Sequence, residues 1–109
     1  MRWSVEFLDD VVEEEFQALP RDMQARFVRI SELIEAYGLE HVGMPHVRHL
    51  EGKLWEMRGK GKAGISRGIY VAISGRRVVI LRIFAKKTQK TPRAEILLAL
   101  ERMKELQDG

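Results

Sequence analysis

Hydrophobic residues recur along the start of this chain with a period that changes from two to about 3.6. Trp3, Val5 and Phe7 alternate with polar residues, which predicts a strand with one buried face. Apolar residues at intervals of four and three then predict a short helix, which an aspartate at position 9 or 10 caps and Pro20 ends. The chain is therefore expected to begin with a strand and a helix.

The clearest helical pattern covers residues 21–37. Apolar residues fall at intervals of four, three, four and three, so they form one stripe along the helix, at Met23, Phe27, Ile30, Ile34 and Tyr37. Gly38 follows as a C-terminal stop signal. A stripe of this kind is typical of a helix that packs against a core.

The central part of the chain changes to β-type residues. Runs rich in Ile, Val and aromatic residues predict strands over 54–58, 65–74 and 77–85, and Ser74-Gly75 predicts a tight hairpin between the last two. Residues 59–64 read Gly-Lys-Gly-Lys-Ala-Gly, which we interpret as a flexible basic turn. Thr91 and Pro92 then predict the start of a final helix.

The predicted order is β-α-α-β-β-β-α in a single domain over residues 1–109, an α+β fold with the helices on one face of a small, mainly antiparallel sheet. The other sheet face is then open. Strand alternation places Arg82, Phe84 and Tyr70 on it, and a bulge at Gly68 would add Arg67. The full candidate surface is Arg58, Arg67, Tyr70, Arg82, Phe84, Lys86 and Lys87.

Charge is strongly uneven along the sequence although the net charge is only +3. Residues 1–45 carry 4 basic and 10 acidic residues, whereas residues 46–93 carry 13 basic and 2 acidic residues. A block this basic predicts a polyanionic partner, the alternative being a solvated surface. The chain contains no cysteine, no apolar run long enough to span a bilayer and no signal-peptide pattern, so we expect a cytoplasmic protein without a membrane partner.

Among the reactions that the residues of the basic block could support, metal-independent RNA cleavage is the one that remains. The basic block offers only Glu51 and Glu56 as carboxylates, so we expect no metal ion and no cofactor. RNA supplies its own nucleophile in the 2′-hydroxyl, and cationic side chains can stabilise the charged transition state. Proton transfer could use His49, His46, Tyr70 or a lysine with a depressed pKa, and the sequence does not choose among them.

The motif HLEGKLWEMR at residues 49–58, followed by Arg67 and Tyr70, and the motif FAKKTQKTP at residues 84–92 resemble the HigB branch of the RelE/ParE toxin superfamily. The resemblance implies that Arg58 and Arg67 stabilise the scissile phosphate, that Phe84 stacks on a base, and that Lys86 and Lys87 contact RNA or transfer protons. Arg82 stands where relatives often carry histidine. The other expected RNA contacts are Lys53, Lys60, Lys62, Tyr70, Arg82 and Lys90.

The same resemblance implies the biological setting. The protein would be the toxin of a type II toxin–antitoxin system, an endoribonuclease that cleaves mRNA on the ribosome and so inhibits translation. Its partner would be a HigA-like antitoxin with a helix-turn-helix domain, in a toxin–antitoxin hetero-oligomer. Two alternatives stay open: a ParE-like inhibitor of DNA gyrase, and a nucleic-acid-binding module without catalytic activity.

Overall fold

The chain forms a five-stranded sheet with helices on both faces. The structure is a computed structural model that describes residues 2–43 and 46–108, with the side chains of residues 107 and 108 outside the description. The elements are β1 (Ser4–Phe7), α1 (Asp10–Gln17), α2 (Arg21–Tyr37), β2 (Val47–Glu51), β3 (Leu54–Gly61), β4 (Gly64–Ile73), β5 (Arg77–Lys86) and α3 (Arg93–Asp108), and a 3₁₀ turn at Leu39–His41 follows α2.

The sheet has the strand order β1-β5-β4-β3-β2, in which β1 runs parallel to β5 and the other pairs are antiparallel. The predicted α+β class is confirmed. The edge strand β2 was not predicted, because Arg48 and His49 are exposed in it and only Val47 is fully buried. An edge strand with charged side chains carries little hydrophobic periodicity.

The helices do not share one face, so that part of the prediction is wrong. Helices α1 and α2 pack with Val78, Ile80 and Ile83 in one core cluster, while α3 packs with Val79 and Leu81 in a second. Neighbouring residues of a strand point to opposite faces. Since β4 and β5 are apolar at almost every position, both faces require cover.

A bulge sets which side chains reach which face. The pairing between β4 and β5 shifts by one residue, with Ile69 opposite Arg82 but Tyr70 opposite Ile80, so Leu81 is the extra residue. The alternation therefore resets in β5 and not at Gly68. As a result Tyr70 faces α1 and α2 and Phe84 faces α3; both are buried, and neither lies on an open surface.

Glycines allow α2 to lie directly on the sheet. A Cβ atom at Gly68 would come 2.5 Å from Cε2 of Phe27, and one at Gly59 would come 3.0 Å from Cβ of Arg26. The alternating Gly–Lys segment is consequently not a flexible turn. Strand β3 continues to Gly61, which pairs with Gly64, and only two residues form the turn.

Within the described residues, none of the helices is long and apolar enough to cross a membrane.

Candidate functional site

Two arginines face each other in the middle of the β3–β4 pair. Arg58 on β3 lies directly opposite Arg67 on β4. Like charges in this position repel, so a neighbouring anion is needed to hold them together. Glu56 provides it, because a residue two positions before Arg58 lies on the same face of the strand.

Glu56 is fully buried, and each of its carboxylate oxygens accepts a different hydrogen bond. One oxygen accepts from Nε of Arg58 and the other from the hydroxyl of Thr91. The same Thr91 oxygen accepts a hydrogen bond of 3.2 Å from Nη1 of Arg67. Both arginines are thus connected to one carboxylate, Arg58 directly and Arg67 through a threonine.

Thr91 does not cap α3, contrary to the sequence prediction. The backbone N–H groups of Glu95 and Ile96 donate to the carbonyl of Pro92, and the helix begins at Arg93. The Thr91 hydroxyl is already engaged by Glu56. The residue that reads as a helix start in sequence is therefore part of the arginine cluster.

The side chain of Arg67 is buried, and only part of its hydrogen-bonding capacity is used. Its side chain has no exposed surface, and its Nε and Nη2 groups have no hydrogen-bond partner among the described residues. Burial lowers the pKa of Arg67, and the charges of Arg58 and Arg48 lower it further, while Glu56 opposes them. Three arginines against one carboxylate leave an excess of positive charge, which suits this cluster to an anion.

The segment 84–92 lies over this cluster and carries further cations. The guanidinium of Arg58 also donates to the carbonyl of Gln89, which ties the segment to β3. Lys86, Lys87 and Lys90 are exposed along it. An electropositive surface therefore extends from the buried arginines to solvent.

Beside Arg58, a cavity of about 580 Å³ opens between α2 and the outer edge of β3. Its apolar side chains are Ile30, Leu33 and Ile65. Its polar and charged side chains are Arg26, Arg29, His46, Arg48, Arg58, Lys60 and Gln89. The cavity therefore joins the arginine cluster to the exposed side of α2.

The family model described as "Phage derived protein Gp49-like (DUF891)" matches residues 14–104, which include every element of this site. The chain belongs to this family. The Gp49-like family is a family of RelE/HigB-type toxins, so the toxin superfamily predicted from the motifs is confirmed.

The fold of this Gp49-like protein is similar to that of a solved structure, the crystal structure of an archaeal RelE–RelB complex from Pyrococcus horikoshii OT3. The two chains share 23% sequence identity with a TM-score of 0.59, over 83% of this chain and 100% of the other. No curated protein sequence matches the chain. The likeness confirms a RelE-like fold.

The two candidate histidines of this Gp49-like chain lie in different places. His46 lines the cavity next to Arg58. His49 packs edge-on against Trp55 at 5.0 Å between ring centroids, and its Nε2 lies 2.8 Å from the carbonyl oxygen of Gly52. Trp55 faces away from Glu56 because strand side chains alternate. Only His46 therefore accompanies the arginine cluster.

Two candidate RNA contacts are enclosed in the core. Tyr70 is fully buried among the α1–α2 residues, its hydroxyl has no partner among the described residues, and burial raises its pKa. Phe84 is 7% exposed and packs in the α3 cluster. Neither ring is available to stack on a base in this conformation.

Arg82 is paired with carboxylates and is not free for RNA. It forms ion pairs with Glu15 at 2.8 Å and with Glu95 at 3.0 Å, and lies 5.6 Å from the ring centroid of Phe84. The remaining lysines are exposed: Lys60 on β3, Lys53 in the β2–β3 turn and Lys62 in the β3–β4 turn. Of these three, only Lys60 reaches the cavity.

Sequence reasoning missed Glu56 and Thr91 as members of the arginine cluster, and it missed three cations of the cluster and the adjacent cavity. Glu56 had been counted only as a scarce acid, although its position two residues before Arg58 was a usable signal. The missed cations are Arg26, Arg29 and Arg48. In the part of the chain that the structure describes, no group of three or more potential metal ligands among His, Cys, Asp and Glu is found.

Proposed function

We propose that this protein is a HigB-like toxin of a type II toxin–antitoxin system and a metal-independent endoribonuclease that cleaves mRNA on the ribosome. The observation that carries the proposal is the cluster of Arg58 and Arg67 on one buried carboxylate, next to a cavity and a lysine-rich segment. Such a cluster holds positive charge in a fixed place, which is what a charged transition state requires.

In the proposed reaction the 2′-hydroxyl of the RNA loses its proton and attacks the adjacent phosphorus, and the bond to the 5′-oxygen breaks. That oxygen takes up a proton as it leaves. Arg58 stabilises the negative charge that develops on the phosphoryl oxygens, and Arg67 adds a second positive charge directly behind it. Lys86 and Lys87 hold the flanking phosphates or transfer protons, as the resemblance implies.

His46 is the histidine that we assign to proton transfer, because it lines the same cavity as Arg58. His49 is engaged with Trp55 and the carbonyl of Gly52. Tyr70, Phe84 and Arg82 are left out of the proposed mechanism, because the first two are buried and the third is paired with two glutamates.

The proposal is tested by following cleavage of a defined message on programmed ribosomes with purified protein. Arg58→Ala should lower the cleavage rate by about 10²- to 10³-fold, the usual loss when one electrostatic contact to the transition state is removed. Arg77→Ala is the matched control, since Arg77 pairs with Glu6 on β1, outside this cluster, and should cleave at the parental rate.

Three results would contradict the proposal. Equal cleavage by parent and Arg58→Ala would remove the arginine cluster from the mechanism. A supercoiling defect without message cleavage would favour a ParE-like inhibitor of gyrase. Steeply salt-dependent RNA binding without any cleavage would favour a non-catalytic module.

The proposed partner is an antitoxin with a HigA-like helix-turn-helix domain, bound in a toxin–antitoxin hetero-oligomer in the cytoplasm. The support is family membership and the similarity to a chain solved in a RelE–RelB complex. Co-expression with the product of the adjacent reading frame should give a stable complex and suppress toxicity. Separate elution of the two proteins would count against this partner.

A further inference from the structure

We infer that the cavity between α2 and β3 is a binding subsite for one unstacked nucleobase of the RNA and the phosphates that flank it. This inference rests on the proposed function and deepens it, because it assigns the nucleotide next to the scissile phosphate to the cavity between α2 and β3. The assignment depends on the position of the cavity, on its charges and on its apolar floor.

The position follows from an incomplete pairing of the sheet. Strand β2 pairs with β3 only as far as Met57, and the next backbone N–H, that of Arg58, donates to the carbonyl of His46 at 2.8 Å. By strand alternation the backbone N–H and carbonyl of Lys60 face the same open edge. The cavity thus has main-chain hydrogen-bonding groups beside it, which can contact the edge of a base.

Apart from Arg58, the arginines and the lysine around the cavity have no counter-ions among the described residues. Among the described residues, Arg26, Arg29, Arg48 and Lys60 have no hydrogen-bonding or ion-pair partner for their side chains. Several arginines elsewhere are paired with glutamates, as Arg93 is with Glu51. Four unpaired cations around one opening repel one another, and bound phosphates would relieve that repulsion.

The floor of the cavity is apolar, which distinguishes it from a simple phosphate site. Ile30, Leu33 and Ile65 form a surface on which the flat face of a base can pack, and arginine guanidinium groups commonly stack on bases in single-stranded RNA. A volume of about 580 Å³ falls within the usual range for ligand sites. A peptide made only of acidic residues could use the rim charges but would place no apolar or flat group on this floor.

The cavity also shares Arg58 and Gln89 with the arginine cluster. A nucleotide bound there is therefore adjacent to the phosphate that Arg58 contacts. Binding of the base would fix the register of the RNA strand, and the fit of the base in the cavity would contribute to sequence preference.

The test is equilibrium binding of a fluorescent eight-nucleotide RNA whose 2′-hydroxyls are methylated, so that it cannot be cleaved. A set of probes carries a single abasic nucleotide at each successive position. For the parent protein, one position should be sensitive, with affinity about tenfold lower when its base is absent. The other positions should show much smaller losses.

The matched variants are the double substitution Arg26→Ala/Arg29→Ala and the control Arg21→Ala, which lies on the same helix outside the cavity. All three side chains are exposed, so the fold should be retained, as circular dichroism would verify. The double variant should bind the intact probe about tenfold more weakly and lose the abasic-sensitive position. The control should keep that position.

The inference would be overturned if the parent protein bound all the abasic probes with equal affinity, which is a flat scan. It would also be overturned if the sensitive position persisted in the double variant. Competition by a poly-glutamate peptide combined with a flat scan would likewise overturn it and would assign the cavity to an acidic protein partner. Failure of the proposed function is recognised separately, as absence of cleavage on programmed ribosomes, because the binding probe does not depend on catalysis.

Discussion

The hydroxyl of Thr91 joins the carboxylate of Glu56 to the guanidinium of Arg67 inside the protein. Thr91→Val keeps the shape of the side chain but leaves one buried acceptor and one buried donor unpaired. We expect the free energy of unfolding to fall by about 1–3 kcal/mol, measured by urea denaturation.

Two further variants distinguish the contribution of the Thr91 hydroxyl from the effect of changing any threonine in this segment. Thr91→Ser keeps the hydroxyl and should lie closer to the parent than Thr91→Val does. Thr88→Val changes an exposed threonine of the same segment and should stay within about 0.5 kcal/mol of the parent. Equal stability of the Thr91 and Thr88 variants would show that the hydroxyl bridge contributes nothing.

Tyr70 provides a second prediction at this scale, because its buried hydroxyl has no partner among the described residues. Tyr70→Phe removes a hydroxyl whose desolvation destabilises the folded state and is not offset by a hydrogen bond. The free energy of unfolding should therefore not fall by more than about 0.5 kcal/mol. Message cleavage should also stay at the parental rate. A loss of cleavage above tenfold would return Tyr70 to the list of catalytic residues.

Individual site residues could be predicted from sequence only where the motif itself names them. Arg58 and Arg67 are brought together, as expected from the resemblance. Tyr70 and Phe84 were assigned to the wrong environment because the bulge lies at Leu81, an apolar residue among apolar neighbours. Nothing in the alternation of such a strand marks the extra residue.

At the scale of elements, the contact between α2 and the sheet depends on Gly68. Gly68→Ala places a Cβ atom 2.5 Å from the Phe27 ring, so the helix or the ring must move. We expect the free energy of unfolding to fall by about 1–3 kcal/mol, measured by thermal or urea denaturation. Gly43→Ala is the control and should change stability little, because no atom of the described residues, its chain neighbours aside, lies within 4 Å of the new Cβ.

Phe27 identifies the cause of that loss. In the double variant Gly68→Ala/Phe27→Leu the shorter side chain gives the new methyl group room, so part of the stability lost in Gly68→Ala should return. If the changes in the free energy of unfolding caused by the two substitutions are simply additive, the crowding between helix and sheet is not the source of the effect.

Strand β1 pairs with β5 only as far as Ile80, and Glu15 of α1 covers the edge of β5 beyond that residue. Its carboxylate accepts from the backbone N–H of Ile83 at 3.1 Å and pairs with Arg82 and Arg102. Burial alone would raise the pKa of Glu15, but hydrogen bonds from Arg102 and Ile83 and the charge of Arg82 outweigh it, so the pKa is lowered. The stability that this carboxylate contributes is present above its unfolded pKa and is lost as pH falls through its folded pKa.

Glu15→Gln should therefore lower the free energy of unfolding by about 1.5–3 kcal/mol at pH 7. The difference from the parent should shrink as pH falls below the ordinary glutamate pKa of 4.5, because the unfolded parent then binds a proton that the folded parent, with its lowered pKa, binds only at lower pH. Glu14→Gln, on the exposed side of the same helix, should have little effect at either pH. A pH-independent difference for Glu15→Gln would contradict this account.

Elements with strong periodicity were predicted well. Met23, Phe27, Ile30 and Ile34 are buried as the stripe in α2 required, and only Tyr37 at its end is 66% exposed. The assignment of all helices to one face was wrong because it treated the sheet as open on one side. The apolar content of β4 and β5 at both parities was the physical signal that two layers of helices were needed.

At the scale of the whole molecule, the cations considered for RNA binding are of two kinds. Arg77, Arg82 and Arg93 are paired with glutamates and have structural roles. A second set, without such partners among the described residues, lies around the cavity and along the segment 84–92: Arg26, Arg29, Arg48, Lys60, Lys86, Lys87 and Lys90. Charge counted along the sequence predicted the polyanion, but it could not separate these two sets.

This separation predicts the salt dependence of RNA binding. Each phosphate that a cation neutralises contributes about −0.7 to the slope of log K against log salt concentration for a single strand. Arg29→Gln should therefore make the slope less steep by about 0.7, measured by fluorescence anisotropy. Arg77→Gln removes the same formal charge from a residue paired with Glu6 and should leave the slope unchanged. Equal changes in both variants would mean that RNA responds only to net charge, and that the unpaired cations do not form a distinct binding surface.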